Sequence, residues 1–177
     1  MRFFKTSHTF AHPWQDVTTA HWFKYPNENL PHVISVDVLD RYVDPVTNSL
    51  VTERLITCRQ NAPAVIQLVL GKDIVTQYVR EVSVIDLEGR RCTMWSRNLS
   101  WRQVVTVEER ISYEQHPSND NKTIFNQEAE INANSALSRL KGYLEDICVS
   151  TFSDNAAKGR EAFENILERF TGEWSKL

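Results

Sequence analysis

Apolar and polar residues alternate in a series of short segments over most of the chain. This alternation predicts strands over residues 2–11, 50–58, 75–87, 91–99, 103–114 and 122–132, and a long strand with Ile34, Val36, Val38 and Tyr42 on one face. Turn residues such as Asp44-Pro45 and Glu88-Gly89 separate neighbouring segments. Strands joined by short turns, without helices between them, predict an antiparallel sheet.

Two segments follow helical spacing instead. The first opens at His12-Pro13-Trp14, where proline suits the first turn, and we expect Pro26 to end it. In the second, Ser135 is the expected N-cap, and apolar residues recur at three- and four-residue spacing from Leu137 to Phe170 with no proline. This pattern predicts one long amphipathic helix that leaves a trough between itself and the sheet. Many ligand-holding folds share such an architecture, so it does not define a function.

The segment from residue 62 to residue 71 fits neither pattern, because Gln67 is its only polar side chain. A surface helix normally keeps a polar face, so this segment must contact a core, a partner or lipid. It is far shorter than the about 20 apolar residues that cross a bilayer. We interpret it as a lid over a cavity, with Gly71 as a candidate hinge. The other lid residues are Pro63, Val65, Ile66, Leu68, Val69 and Leu70.

Composition narrows the classes of function. The 177 residues suit one domain with a hydrophobic core, and the net charge of -3 comes with scattered basic residues, which argues against a nucleic-acid partner. Five dispersed glycines cannot form a phosphate-binding loop. Cys58, Cys92 and Cys148 lie far apart and predict neither a disulfide framework nor a metal site. The N-terminal residues resemble neither a cleavable presequence nor a membrane span.

No residue pattern requires an enzyme, a metal or a cofactor. The histidines lack a metal-binding arrangement, and no serine lies in a nucleophile elbow. Glu108-Glu109 and the acidic residues from Glu128 to Glu130 could form a carboxylate pair, but carboxylates on strand faces are usually solvated.

Four polar residues occur at positions that the apolar pattern does not explain, and each could have a purely structural role. Asn155 and Lys158 lie at or near the apolar stripe of the long helix, where Asn155 could bond a strand end and Lys158 could reach water. Lys24 could favour the dipole at the end of the first helix. Arg54 could pair across the sheet with an acid.

Seven short motifs, in register from Met1 to about Phe170, resemble the PRELI domain. The motifs are Lys24-Tyr25-Pro26-Asn27, Pro31-His32-Val33, Asp37 to Arg41, Arg54-Leu55, Glu81-Val82-Ser83-Val84, Asn98-Leu99 and Asn155-Ala156-Ala157-Lys158-Gly159-Arg160. The slowmo branch and its fungal counterparts are most similar, on His12-Pro13-Trp14, residues 51–56 and Asn126-Gln127-Glu128-Ala129.

The resemblance implies an α+β, helix-grip or START-like fold. A curved antiparallel sheet of about seven strands, the long C-terminal helix and a short lid helix at 62–72 would enclose a lipid cavity. Residues 1–172 would form the domain, and 173–177 a short tail. The protein would carry single phospholipids between the outer and inner mitochondrial membranes, through the intermembrane space. A small helical helper with twin cysteine motifs would bind it, and contact with membranes would be transient.

The family's headgroup positions correspond here to Lys24, His32, Arg54, Asn155 and Lys158. Cys58 and Thr151 stand where the branch that carries phosphatidic acid has lysines, although Arg59 could substitute for the first. Fewer cations suit a phosphodiester better than a phosphomonoester of higher charge, which favours phosphatidylserine over phosphatidic acid. A helix-grip module for another apolar ligand such as a sterol, an enzyme in the same cavity and a scaffold stay open as alternatives.

Overall fold

The computed structural model describes residues 1–61, 67, 71, 74–134 and 140–174. In chain order the elements are β1 (Arg2–Phe10), α1 (Trp14–His21), β2 (Val33–Val43), β3 (Leu50–Asn61), β4 (Ile74–Asp86), β5 (Arg91–Asn98), β6 (Val105–Gln115), β7 (Thr123–Ala133) and α2 (Lys141–Trp174).

The seven strands form one antiparallel sheet in the order β1-β7-β6-β5-β4-β3-β2. Strands β2 to β7 form a meander, and β1 pairs with β7 so that the first strand becomes an edge. Each strand predicted from the alternation is present, to within a few residues at its ends. Together with the long C-terminal helix, the sheet confirms the predicted α+β fold.

One prediction about β2 is wrong. The sequence pattern places Val38 and Tyr42 on the same face of this strand. In the structure Val38 pairs with Arg54, which lies on the buried face of β3. The register then shifts between Val38 and Asp40, and Tyr42 pairs with Val51. Residues opposite each other in an antiparallel pair share a face, and Val51 and Arg54 lie on different faces of β3. The bulge therefore moves Tyr42 to the face opposite Val38, although sequence spacing places both on one face.

Helix α1 begins at Trp14, with the predicted first-turn residue Pro13 at the N-cap, and it ends at His21 and not at Pro26. The chain continues in tighter turns, in which the amide of Phe23 donates to the carbonyl of Ala20 at 3.0 Å and that of Lys24 to the carbonyl of His21 at 3.3 Å. These turns carry the chain away from the helix axis before the proline is reached.

Helix α2 packs against α1, β1 and β7. Leu144, Phe163 and Leu167 on its predicted apolar stripe are fully buried, whereas Leu140 is exposed. The predicted N-cap Ser135 and the first stripe residue Leu137 lie outside the described residues.

An aromatic cluster forms the core at one end of the space between α2 and the sheet. Phe10, Tyr113, Phe125 and Phe163 have ring centroids 5.2 to 6.3 Å apart. The indole Nε1–H of the buried Trp14 donates to the carbonyl of Tyr113 at 3.1 Å, which fixes α1 to β6.

Most of the predicted lid lies outside the described residues, including Pro63, Val65, Ile66, Leu68, Val69 and Leu70. Gly71, the candidate hinge, has a positive φ of 65°, a conformation that favours glycine. Its amide donates to the carbonyl of Gln67 at 2.6 Å. Within the described ranges, no helix is long and apolar enough to cross a membrane.

Candidate functional site

A cavity of about 250 Å³ lies between the inner face of the sheet and α2. Among the described residues, ten apolar ones line it: Phe10, Leu30, Val33, Ile56, Val79, Ile111, Phe125, Phe152, Ala156 and Phe163. Its polar lining residues are His21, Lys24, Tyr25, His32, Gln77, Glu81, Ser96, Glu109, Gln127, Asn155 and Arg160, and Cys58, Tyr113 and Gly159 complete the wall.

Lys24 lies where α1 and α2 approach each other. Its ammonium group is 5.4 Å from the ring centroid of Tyr25. A Cβ atom added to Gly159 would lie 3.8 Å from the Lys24 Nζ atom, with no other heavy atom within 4 Å. The glycine therefore leaves space on α2 beside the ammonium group, and a large side chain at this position would occupy that space.

The charges of two lysines, Lys158 and Lys24, affect the pKa of His32. Burial lowers the pKa of His32, and the positive charges of Lys158 and then Lys24 lower it further. The backbone carbonyl of His32 accepts a hydrogen bond from the amide of Arg59 at 2.7 Å, which ties the segment before β2 to β3. Asn155 lines the same cavity one helical turn before Gly159.

The predicted headgroup residues therefore fall into two groups. Lys24, His32 and Asn155 line the cavity together, whereas Arg54, Arg59 and Lys158 do not line it. The side chains of Arg59 and Lys158 are exposed. Arg59 follows Cys58, which does line the cavity, and successive strand residues point to opposite faces.

Arg160, which ends the last of the resemblance motifs, also lines the cavity. It was not among the predicted headgroup residues. Cys58 presents a thiol to this wall, and burial raises the pKa of that thiol, so the side chain is uncharged where a lysine would be positive.

Arg54, Glu81 and His21 form a buried polar cluster beside the cavity. Arg54 is 4% exposed, and its guanidinium Nε and Nη2 atoms donate to Glu81 Oε1 at 2.9 and 2.5 Å. Arg54 and Glu81 are direct partners in the register of β3 and β4. The alternative that Arg54 pairs across the sheet with an acid is therefore confirmed. Its role in headgroup binding stays a prediction.

His21 completes this cluster and has an unmet hydrogen-bonding group. The Nη2 atom of Arg54 lies 2.6 Å from His21 Nε2, and since arginine can only donate, Nε2 is the acceptor. Burial, followed by the charges of Arg54 and Lys24, lowers the pKa of His21 well below 6.5, so the ring is neutral and its proton is on Nδ1. The Nδ1 atom is buried and has no hydrogen-bond partner among the described residues. His21 lines the cavity, so an occupant could supply the missing acceptor.

Glu81, Ser96 and Glu109 form a polar row across the inner face of the sheet that sequence reasoning missed. Glu81 on β4 is opposite Ser96 on β5, and Ser96 is opposite Glu109 on β6. The expectation that strand carboxylates are solvated is wrong for Glu109, which lines the cavity, and correct for the exposed Glu108, Glu128 and Glu130. The sequence of β6 does indicate that Glu109 points inward, because Glu109 alternates in step with the inward residues Val107 and Ile111.

Both carboxylate oxygens of Glu109 accept hydrogen bonds from neutral groups. Gln127 Nε2 donates to Oε1 at 2.6 Å, and Ser96 Oγ donates to Oε2 at 2.8 Å. The pKa of Glu109 is raised, chiefly by burial and also by the charge of Glu81, and the two hydrogen bonds and the charge of Lys24 offset this only in part. The cavity wall therefore carries an acidic group and a basic group at sites close enough to influence each other.

No group of histidine, cysteine and acidic side chains that could hold a metal ion occurs in the part of the chain that the structure describes.

The fold resembles proteins of the helix-grip type. The aromatase/cyclase Zhui from Streptomyces sp. R1128 superposes with a TM-score of 0.64 at 12% identity, over 95% of this chain and 94% of that chain. The protein Ara h 8.0201 superposes with a TM-score of 0.57 at 12% identity, over 95% of this chain and 98% of that chain. At these identities the similarity establishes the fold alone.

Three relatives are similar in sequence over almost the whole chain. "Protein UPS2, mitochondrial" from Saccharomyces cerevisiae is 44% identical over 99% of this chain and 76% of its own length. "UPS-like protein C36.10" from Schizosaccharomyces pombe is 41% identical over 96% of this chain and 90% of its own length. "Protein slowmo homolog" from Dictyostelium discoideum is 34% identical over 94% and 72%. The model of the PRELI-like family matches residues 15–174. Together these matches confirm the resemblance seen in the sequence motifs, and the chain belongs to the PRELI-like family.

Proposed function

We propose that this protein carries single phospholipid molecules, with phosphatidylserine as the preferred cargo, between the outer and inner mitochondrial membranes. The observation that carries the proposal is the cavity between the sheet and α2, which has apolar walls and an end where Lys24, His32 and Asn155 come together. Membership of the PRELI-like family and the mitochondrial label of the Saccharomyces relative support the same conclusion.

The physical need for a carrier follows from the acyl chains. A diacyl lipid has about 30 methylene groups, each worth roughly 0.8 kcal/mol in an apolar environment. A free lipid therefore leaves a bilayer very slowly, and a carrier must replace most of the apolar contact that is lost. The apolar side chains of β3, β6, β7 and α2 line the cavity and supply such contact.

The headgroup would bind at the polar end of the cavity. Lys24 and His32 face the phosphate, Asn155 donates an amide, and Arg160 and the charge of Lys158 add to the positive field. Arg54 would hold the wall behind this site through Glu81 and His21. The uncharged thiol of Cys58 leaves fewer cations than a phosphomonoester would favour, which supports phosphatidylserine over phosphatidic acid.

The proposal includes the lid, the compartment and a helper. Residues 62–72 would open against the membrane and close over the bound lipid. The protein would work in the intermembrane space with a small helical twin-cysteine protein. Transfer needs binding and release but no bond chemistry, so the protein would act as a carrier and not as an enzyme.

A liposome transfer assay tests the proposal. Donor vesicles carry phosphatidylserine, phosphatidic acid or phosphatidylcholine, and the protein is added with and without the helper. We expect phosphatidylserine to move to acceptor vesicles fastest. The variant Lys24→Gln should transfer severalfold more slowly with unchanged folding, because a charged hydrogen bond to phosphate is lost. Lys122→Gln, which changes an exposed lysine away from the cavity, is the matched control.

Two results would contradict the proposal. If no phospholipid moves at any headgroup composition, the protein is not a phospholipid carrier. If mass spectrometry of the purified protein shows a bound sterol in place of a phospholipid, the alternative of another apolar ligand is correct.

A further inference from the structure

We infer that Glu109 is a specificity-determining residue that accepts the ammonium group of the lipid headgroup, so that the cavity selects phospholipids that carry a primary ammonium group beside the phosphate. The inference rests on the proposed function, which it extends from the phosphate to the remainder of the headgroup.

Glu109 has the position that such a role requires. It lies in the middle of the sheet on β6, on the face that lines the cavity, in register with Ser96. The charge of Lys24 influences the carboxyl of Glu109 as well as the rings of His21 and His32. Glu109 therefore lies at the same end of the cavity as the cations that would bind phosphate.

Glu109 also has no cationic partner among the residues that the structure describes. The other carboxylate on this wall, Glu81, is neutralised by Arg54 at 2.5 Å. Among the described lysine, arginine and histidine side chains, none forms an ion pair with Glu109. Within the described ranges its hydrogen bonds come from the neutral donors Gln127 and Ser96, and each carboxylate oxygen has a further lone pair for another donor.

A partly buried carboxylate without a cation is costly unless something compensates it. An ammonium group of the ligand would do so, and it would form a charge-assisted hydrogen bond. A headgroup that carries only negative charge would instead be repelled. The wall thus presents cations to the phosphate and one carboxylate to a positive group that is joined to the phosphate by a short carbon bridge.

His21 gives independent support for a polar occupant at this end. The residue is 4% exposed, and its Nδ1–H group has no hydrogen-bond partner in the part of the chain that the structure describes, although the side chain lines the cavity. Fully apolar contents would leave this donor unsatisfied, whereas a headgroup brings phosphate and ester oxygens that can accept from it.

The inference is tested by transfer assays with four single-headgroup donor vesicles, which contain phosphatidylserine, phosphatidylethanolamine, phosphatidylglycerol or phosphatidic acid. The variant Glu109→Gln keeps the size of the side chain and removes its charge. We expect it to slow transfer of the two ammonium-bearing lipids roughly tenfold or more, since a charged hydrogen bond is lost. Transfer of phosphatidylglycerol and phosphatidic acid should stay constant or increase.

Glu108→Gln is the matched control, because Glu108 is the preceding residue on β6 and its exposed side chain points to the other face. It should behave as the unmodified protein does. Equal slowing of all four lipids by Glu109→Gln, or no slowing of any, would overturn the inference. If the unmodified protein moves none of the four lipids, the proposed function itself fails, and this result is distinct from a change in headgroup preference.

A ligand-side comparison keeps the inference testable if Glu109→Gln does not fold. Phosphatidylpropanol has a methyl group in place of the ammonium group of phosphatidylethanolamine and is otherwise the same shape. The unmodified protein should transfer phosphatidylethanolamine roughly tenfold faster than phosphatidylpropanol. Equal rates would refute a role for any ammonium acceptor in the cavity.

Discussion

Removing the positive charge of Arg54 should destabilise the fold strongly, and the effect should be reversed by removing its partner. The side chains of Arg54 and Glu81 are 5% and 10% exposed, so neither charge is well solvated. In Arg54→Met, the Glu81 carboxylate stays buried without a cation and His21 Nε2 loses its donor. Breaking a buried ion pair from one side typically costs about 3–5 kcal/mol.

This loss is large compared with the total stability of a domain, which is about 5–15 kcal/mol. For a chain of this size, 1 kcal/mol lowers the melting temperature by about 2–4 °C, so Arg54→Met should melt roughly 6–20 °C lower. In the double variant Arg54→Met, Glu81→Leu, apolar side chains replace both charges. It should recover most of the loss, because such replacement of a buried pair is often neutral or stabilising.

Urea unfolding followed by tryptophan fluorescence, on the four proteins of this double-mutant cycle, gives the free energies of unfolding. A loss below about 1 kcal/mol for Arg54→Met would mean that the pair behaves as a solvated surface pair. A double variant with the summed loss of both single variants would refute the reasoning as well. If the double variant is stable and still transfers phosphatidylserine, a direct role of Arg54 in headgroup binding is ruled out.

Two further predictions concern α2 and pH. Gly159→Leu should reduce transfer severalfold, because the added side chain enters the space beside Lys24. The control Gly142→Leu should leave transfer unchanged, because a Cβ added there meets no described atom within 4 Å. Equal transfer by both variants would contradict this geometry. The lowered pKa of His21 means that, as pH falls below 6.5, the unfolded chain binds a proton that the folded ring does not, so stability should decrease with falling pH. The free energy of unfolding of the unmodified protein, measured relative to His21→Gln between pH 7.5 and 5, should therefore fall with pH, and a constant difference would refute the assignment.

The alternation of apolar and polar residues was sufficient to predict the sheet, because a strand such as β7 buries one face and leaves the other partly or fully exposed. Along β7, every second residue from Thr123 to Ala133 is buried, and the residues between them are partly or fully exposed. Strand β2 is different, since none of its residues is buried. The same rule failed in β2, since a bulge after Val38 changes which face later residues occupy. A bulge adds a residue without an apolar signal, so alternation alone does not reveal it.

The candidate site was harder to predict than the fold. Lys24, His32 and Asn155 were proposed through the family resemblance, and all three line the same cavity. Nothing local distinguishes Lys24 as a cavity residue, because its position depends on the turns after α1 and on the gap at Gly159. Glu109 was visible as a charged residue at an inward position of β6, but its significance depends on Ser96 and Gln127 in neighbouring strands.

The central claim is that the space between the sheet and α2 holds one phospholipid, and native mass spectrometry tests it most directly. The protein is incubated with vesicles of mixed headgroups, separated from them and weighed intact, beside the variant Ala156→Trp, which fills the cavity from α2. We predict one bound phospholipid per chain, enriched in phosphatidylserine, and little bound lipid in the variant. A protein that emerges without lipid, or a variant that binds as much lipid as the unmodified chain, would contradict the account.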